Sequence, residues 1–178
     1  PYASGLATLV NDELELGCAV VDMGAGTTSL AVFNEGRFVH ADYMPIGGHL
    51  VTLDLARGLS CGIDEAELLK TMHGSVIASS VDESDMIQLA AIGHGDDAGG
   101  QHVSRSLGNR IIAARVEETL EMLRDRINAS GHSSTVGKRV VLTGGAAHMS
   151  GFGDLARRVL GRIVRIGRPL GVIGLPSS

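Results

Sequence analysis

Apolar positions follow two rhythms along the chain, and the switches between them mark out the elements. Tyr2 to about Val10 carries a weak helical spacing, and Asn11–Glu15 reads as an acidic connector. The first strong signal is Cys18-Ala19-Val20-Val21, a short continuous apolar run of the kind found in strands buried on both faces. A turn over Asp22–Thr27 leads to a second strand, Thr28–Phe33. Another turn, Asn34-Glu35-Gly36, leads to a third, Arg37–Met44, stopped by Pro45. Connections this short leave no room for a crossover helix, so these strands predict an antiparallel meander.

Helical spacing takes over after Gly47-Gly48, with Leu50, Leu53 and Leu55 in a helix ending near Leu59. Asp64 and Glu67 have capping-box spacing and predict a second helix start, with Leu68, Leu69 and Met72 as its apolar face. Met86–Ile92 predicts a strand and Gly93–His102 a loop. A long helix is expected over Ser104–Ala129, with Leu107, Ile111, Ala114, Leu120 and Ile127 in register and Gly131 at its end. Arg139–Thr143 predicts another buried strand, followed by Gly144-Gly145. Ser150 is placed to cap a helix over Phe152–Leu160, and Arg162–Ile166 predicts a last strand closed by Pro169. The expected architecture is α/β. Residues 1–47 and 139–178 share one mixed sheet flanked by helices, and 48–138 form an inserted α/β subdomain.

Composition narrows the function classes. The chain is 44% hydrophobic and 20% charged, enough for a core. Its apolar runs fall far short of the ~20 residues of a membrane-spanning helix. A net charge of −5, with 3% aromatics and no Trp, offers nucleic acid neither a basic field nor stacking platforms. Two cysteines, Cys18 and Cys61, do not make a disulfide framework and suit a reducing cytosol; Cys61 reads as a small buried hydrophobe. No signal-peptide pattern opens the chain, and its first residue, Pro1, fits a processed chain or, as we expect, a piece of a longer one. Glycine fills 25 of 178 positions, about twice ordinary usage, and clusters at junctions where backbone can approach a ligand.

Three segments could carry chemistry. In Val20–Phe33, a buried strand ends in Asp22 and turns through Gly24, Ala25, Gly26, Thr27 and Thr28. Small residues let amides converge on an anion, and a strand-end carboxylate can hold a hydrated Mg²⁺. A strand follows this G-x-G, which argues against a dinucleotide fingerprint. In Val140–Phe152, a buried strand runs into Gly144, Gly145 and Ala146, where a flat nucleoside could lie against backbone. In Ala66–Ser75, Glu67 and Lys70 share a helix face. Singly, these also read as a glycine hairpin, a tight strand-to-helix turn, and a cap with a surface ion pair.

Their order and spacing resemble the C-terminal half of the actin-like ATPases, which have a ribonuclease H-like fold. The DxGxGTT hairpin resembles that superfamily's second phosphate motif, LTGGAA its adenosine motif, and Pro45-Ile46-Gly47-Gly48 its helix entry. RGLS (Arg57–Ser60), AELLKTMHGS, Ile111–Arg115, VRIGRPLGVIGL (Val164–Leu175) and the lead-in PYASGLATLVNDELELG are similar to the FtsA family of bacterial cell division. Two departures stand out. Ala25 replaces a common Gly, which would weaken phosphate contact if φ were positive there. Ala113-Ala114 replaces what is often an acid and a proline before Arg115.

The resemblance implies subdomain 2A at both ends of the chain with 2B inserted. It implies ATP held by Gly24, Gly26, Thr27 and Thr28 at the phosphates, with Mg²⁺ on Asp22 through water. Glu67 and Lys70 would meet ribose and adenine, and Gly144, Gly145 and Ala146 would lie under the nucleoside. With half the clamp elsewhere, the isolated chain is expected to bind nucleotide weakly. Hydrolysis would be weak at most, since only Asp22 here could orient a water. The whole protein would be a scaffold that forms filaments and docks the FtsZ C-terminal peptide through Arg115 and Glu118. It would reach the cytoplasmic face of the inner membrane at the division site through a segment absent from this chain. Arg115 and Glu118 also read as part of a solvated charged face. The alternative is another actin-like ATPase, such as the pilus-assembly protein PilM or a sugar-kinase-like or chaperone-like enzyme.

Other features point to less. The seven histidines lack metal-ligand spacing, although His94 and His102 flank Asp96-Asp97 in what reads as a loop. Arg157, Arg158, Arg162, Arg165 and Arg168 read as a solvated helix face and a charge-protected edge strand.

Overall fold

The apolar run at Cys18 forms β1 (Cys18–Met23), the middle strand of a five-stranded sheet in a computed structural model that describes residues 1–77, 83–90, 100–134, 136 and 138–170. β2 (Thr28–Asn34) and β3 (Arg37–Met44) follow as the antiparallel meander. Glu35 and Gly36 both take positive φ, 52° and 69°, the type I′ geometry that suits a two-residue hairpin. On the other side of β1 lie β6 (Arg139–Thr143) and β7 (Ile163–Ile166), both parallel to it. The sheet order is β3-β2-β1-β6-β7.

Both faces of this sheet are covered, which is why β1 can be apolar at every position before Asp22. On one face Ala19, Val21, Leu30, Val32, Val140 and Leu142 join the main core. That core includes residues of α3 (Gly48–Leu59), α4 (Ile63–His73), α5 (Arg105–Ala129) and α6 (Phe152–Leu160). On the other face Cys18, Val20, Ala31, Phe33 and Val141 form a smaller cluster with Leu9 and Leu14, beside α1 (Tyr2–Thr8) and α2 (Asn11–Leu16). A separate hairpin, β4 (Met86–Leu89) with β5 (Gln101–Ser104), lies between α4 and α5 in the chain.

Several expectations need correction. Asn11–Glu15 is not a connector but most of α2: the Glu13 carboxylate accepts the Val10 amide, and Arg165 neutralises it from β7. Asp64 does not cap α4. Gly62 holds that position without a side-chain bond, and Asp64 lies inside the first turn of the helix. Leu68 and Met72 are 57% and 68% exposed; Ala66 and Leu69 are the residues that α4 buries.

The buried stripe of α5 runs through Ile112, Val116, Leu120, Leu123 and Ile127, whereas Ala114 faces solvent. Ser150 does not cap α6. Its carbonyl accepts the Val76 amide, and Gly151, at φ 78°, occupies the cap. Gln101 and His102 are strand where a loop was expected, because they pair with Leu89 and Gln88. Ile92 and residues 93–99 lie outside the described residues, as do 171–178.

Candidate functional site

β1 and β6 run parallel with Asp22 opposite Thr143, so the turn after one and the diglycine after the other leave the sheet side by side. Gly144 takes φ 89°, and a Cβ there would lie 2.5 Å from the Met23 carbonyl oxygen and 2.6 Å from Asp22 Oδ1. Only glycine lets the second loop leave so close to the first. Carboxyl ends of parallel strands are the usual place for ligands in open α/β sheets.

A cleft of about 600 Å³ opens there. It brings together Gly24, Ala25, Glu67, Lys70, Gly145 and Ala146 of the expected site. Asp22, Gly26, Thr27, Thr28 and Gly144 do not form its wall. Gly26 and Thr27 stand exposed at the tip of the turn. Asp22 sits half-buried behind it, accepting the Ser4 hydroxyl at 2.6 Å.

Thr28 is buried, and its hydroxyl donates to the Ile46 carbonyl at 2.7 Å. Its proton is committed to holding the turn, which departs from the expected role at a phosphate.

The turn is also anchored to α3. The amides of Gly48 and His49 donate to the carbonyls of Gly24 and Ala25 at 2.9 and 2.8 Å. Hence the first amides of α3 are spent on the protein itself, and the exposed amides that remain are those of the turn. Among the described residues no acceptor takes the amides of Ala25 and Gly26. Ala25 is not among the positive-φ residues, so alanine strains nothing there, contrary to the concern raised by the sequence.

Glu67 and Lys70 are not a surface ion pair. The Lys70 side chain is 12% exposed, and its ammonium donates to Glu67 Oε2 at 2.6 Å, Thr52 Oγ1 at 2.9 Å and the Gly48 carbonyl at 3.1 Å. Burial pushes the Glu67 carboxyl up, but hydrogen bonds from Lys70 and Thr52 outweigh it and hold the group below its ordinary value. The sequence did not single out Thr52, Thr71, Met72, His73, Gly74, Arg105, His148, Met149 or Ser150 as site residues, yet all but Thr52 line the cleft. Thr71 to Gly74 and His148 to Ser150 lie within the segments Ala66–Ser75 and Val140–Phe152 already singled out, and that membership was the available signal. Thr52 and Arg105 are reached only through folding.

The expected partner residues are also built in. Arg115 bonds Asp54 of α3 and, at 2.5 Å, Glu118 one turn along α5. The hydrogen bond that Arg115 donates to Asp54 holds its guanidinium above the ordinary value. Glu118 is the exposed end of this chain of charges. Arg165, read as an edge charge, instead ties the buried Glu13 and the Thr8 carbonyl to β7. Burial pushes the Cys18 thiol up to about 12 and raises that of Cys61, so neither is a nucleophile. Among the described residues no group of three or more His, Cys, Asp or Glu could cage a metal. Also among them, no helix is long and apolar enough to cross a membrane.

The family model described as cell division protein FtsA matches residues 19–177. FtsA of Rhizobium meliloti is 60% identical over the whole chain, which covers 40% of that relative. FtsA of Bacillus subtilis is 36% identical over 95% of the chain and 38% of the relative. FtsA of Escherichia coli is 32% identical over 97% of the chain and 42% of the relative. The chain thus spans about 40% of the length of these relatives.

Among solved structures, MreB5 of Spiroplasma citri bound to ADP superposes with a TM-score of 0.74 at 17% identity, over 93% of this chain and 53% of that one. A PilM-PilN type IV pilus biogenesis complex gives 0.63 at 17% identity, over 87% and 36%. These likenesses establish the actin-like fold, and the sequence relatives do not favour the pilus-assembly alternative.

Proposed function

The chain belongs to the FtsA family of cell-division proteins, and on that premise we propose that its cleft is one side of a purine-nucleotide clamp in an actin-like division scaffold. The observation that carries this reading is the parallel pairing of β1 with β6, which brings Gly24 and Ala25 of one loop and Gly145 and Ala146 of the other to one cleft.

ATP phosphates lie against the amides of Ala25 and Gly26 and the Thr27 hydroxyl, with Gly24 giving the backbone room. Thr28 serves by holding the turn. Asp22 holds Mg²⁺ through water; a single carboxylate with a hydroxyl neighbour suits that hydrated ion better than an all-protein cage. Glu67 accepts sugar hydroxyls, Lys70 steadies it, and Gly144, Gly145 and Ala146 form the surface under the nucleoside. Bound nucleotide supplies phosphate charge that favours closure of the other half of the clamp over this one. Slow hydrolysis at most follows, because within the 22–28 turn Asp22 is the sole carboxylate to orient a water.

In this reading residues 1–47 and 139–178 form subdomain 2A and 48–138 form 2B. The whole protein self-associates into filaments and binds the FtsZ C-terminal peptide on the surface carrying Arg115 and Glu118. It meets the cytoplasmic face of the inner membrane at the division site.

The test is calorimetric titration of the full-length protein with ATP and Mg²⁺. A Cβ at Gly145 meets nothing within 4 Å. Gly145→Leu therefore fills the cleft without touching the core. The expected result is an affinity loss of about tenfold or more at unchanged melting temperature. Full affinity in that variant would overturn the proposal.

A further inference from the structure

Thr52 is fully buried in α3 and belongs to none of the motifs that point to the cleft. A threonine inside a helix commonly gives its hydroxyl proton to the carbonyl four residues back. Here that carbonyl, Gly48, is 3.3 Å away, while Glu67 Oε2 on the neighbouring helix is 2.5 Å away. The proton therefore goes to the carboxylate. The hydroxyl oxygen in turn accepts from Lys70 Nζ at 2.9 Å.

This closes a small circuit. Lys70 has three ammonium protons and three acceptors, Gly48 carbonyl, Thr52 Oγ1 and Glu67 Oε2, which leaves it none to offer a ligand. Glu67 takes both of its bonds on Oε2. Among the described residues no donor reaches Oε1, and the side chain is 46% exposed where it lines the cleft. Gly48, the fourth member, hangs from the Gly24 carbonyl of the hairpin turn.

We propose that Thr52 is the positioning residue of this site: its hydroxyl fixes Glu67 so that Oε1 is presented to the sugar hydroxyls of a nucleotide. Lys70 acts from behind the carboxylate and does not touch the base. This inference rests on the clamp reading above. A bond from a hydroxyl to a carboxylate is among the stronger side-chain interactions, and without it Glu67 would swing on a single lysine contact. Loss of the donor also removes one of the two bonds that offset burial of the carboxyl.

The experiment compares ATP with 2′,3′-dideoxy-ATP by calorimetry on the full-length protein. A site that hydrogen-bonds sugar hydroxyls rejects the dideoxy analogue, so wild type should prefer ATP by about tenfold or more. Thr52→Val keeps the shape and removes the hydroxyl, and the preference should fall toward one. Thr52→Ser should restore it. A buried threonine with a merely structural role would change melting temperature but leave the preference intact. Thr52→Ala, with the same expected loss of preference, replaces the valine variant if that fails to fold.

Glu67→Ala separates the two roles. If it abolishes the preference while the variant lacking the Thr52 hydroxyl keeps it, the positioning role is overturned and the clamp stands. If Glu67→Ala keeps the full preference, Glu67 is not the sugar acceptor, and its place in the clamp falls together with the role of Thr52.

Discussion

Asp22 and Thr143 are register partners at the carboxyl ends of adjacent parallel strands. Everything on the cleft's sheet side follows from that pairing. One strand turns back through Gly24–Thr27, the other departs through Gly144, and the two loops are near enough that a Cβ at Gly144 would collide with Asp22. The helical side is tied to the same edge, because α3 donates its first amides to the turn and Lys70 holds Gly48.

Gly47 is the residue on which the turn and α3 depend for contact. Its φ of −152° suits any residue, but a Cβ would lie 2.5 Å from both the Gly24 and Ala25 carbonyl oxygens. Gly47→Ala must push the helix off the turn, at a cost of about 2–3 kcal/mol in denaturant unfolding. Gly26→Ala, with nothing within 4 Å of the added methyl, should stay within ~0.5 kcal/mol of wild type. Equal stabilities for the two variants would contradict the anchoring described here.

Acid should unpick α2 from β7. The hydrogen bond from Arg165 holds the Glu13 carboxyl below its ordinary value of 4.5, against the opposing push of burial. A depressed folded value means that the stabilisation is complete above the unfolded value and is lost as pH falls through the folded one. Stability should thus begin to fall below about pH 5 and continue falling below 4.5. Glu13→Gln should lower stability at neutral pH by about 1–2 kcal/mol and flatten that part of the acid limb. An unaltered acid limb would show that Glu13 does not carry it.

Strand positions were legible because their signals are local. β3 and β6 fall where the residues predicted them, and the glycine hairpin, the diglycine and the Glu67–Lys70 pair meet at one cleft. Interactions between distant residues were not legible. Asn11–Leu16 is closed locally by the Val10–Glu13 bond, but what ties it to the sheet is Arg165, 152 positions from Glu13. On α5, Leu120 and Ile127 are buried and Leu107 and Ile111 pack against the core as expected, but Ala114 is exposed and the deepest positions include Ile112 and Val116. Thr52 carries no motif; it matters because α3 and α4 bring it to Glu67. Capping errors at Asp64 and Ser150 are errors of position: α4 starts at Ile63 after Gly62, which puts Asp64 inside the first turn, and α6 starts at Phe152 after Gly151, which puts Ser150 outside it.

The partner surface is better tested at Glu118 than at Arg115. Arg115→Glu would set a carboxylate against Asp54 and disturb the α3–α5 contact, so lost binding would be hard to separate from lost stability. Glu118→Gln keeps an acceptor for Arg115 and removes only the exposed charge. It should weaken binding of the FtsZ C-terminal peptide by roughly tenfold in fluorescence anisotropy, with melting unchanged. Unaltered affinity would remove this helix face from the proposed interface.

Hydrogen–deuterium exchange of the full-length protein, with and without ATP and Mg²⁺, tests most directly whether the two loops serve one ligand. Peptides spanning residues 22–28 and 143–149 should gain protection together, along the same nucleotide titration, while the edge strand at residues 37–44 stays unchanged. Protection of only one loop, or of neither at saturating nucleotide, would contradict the account.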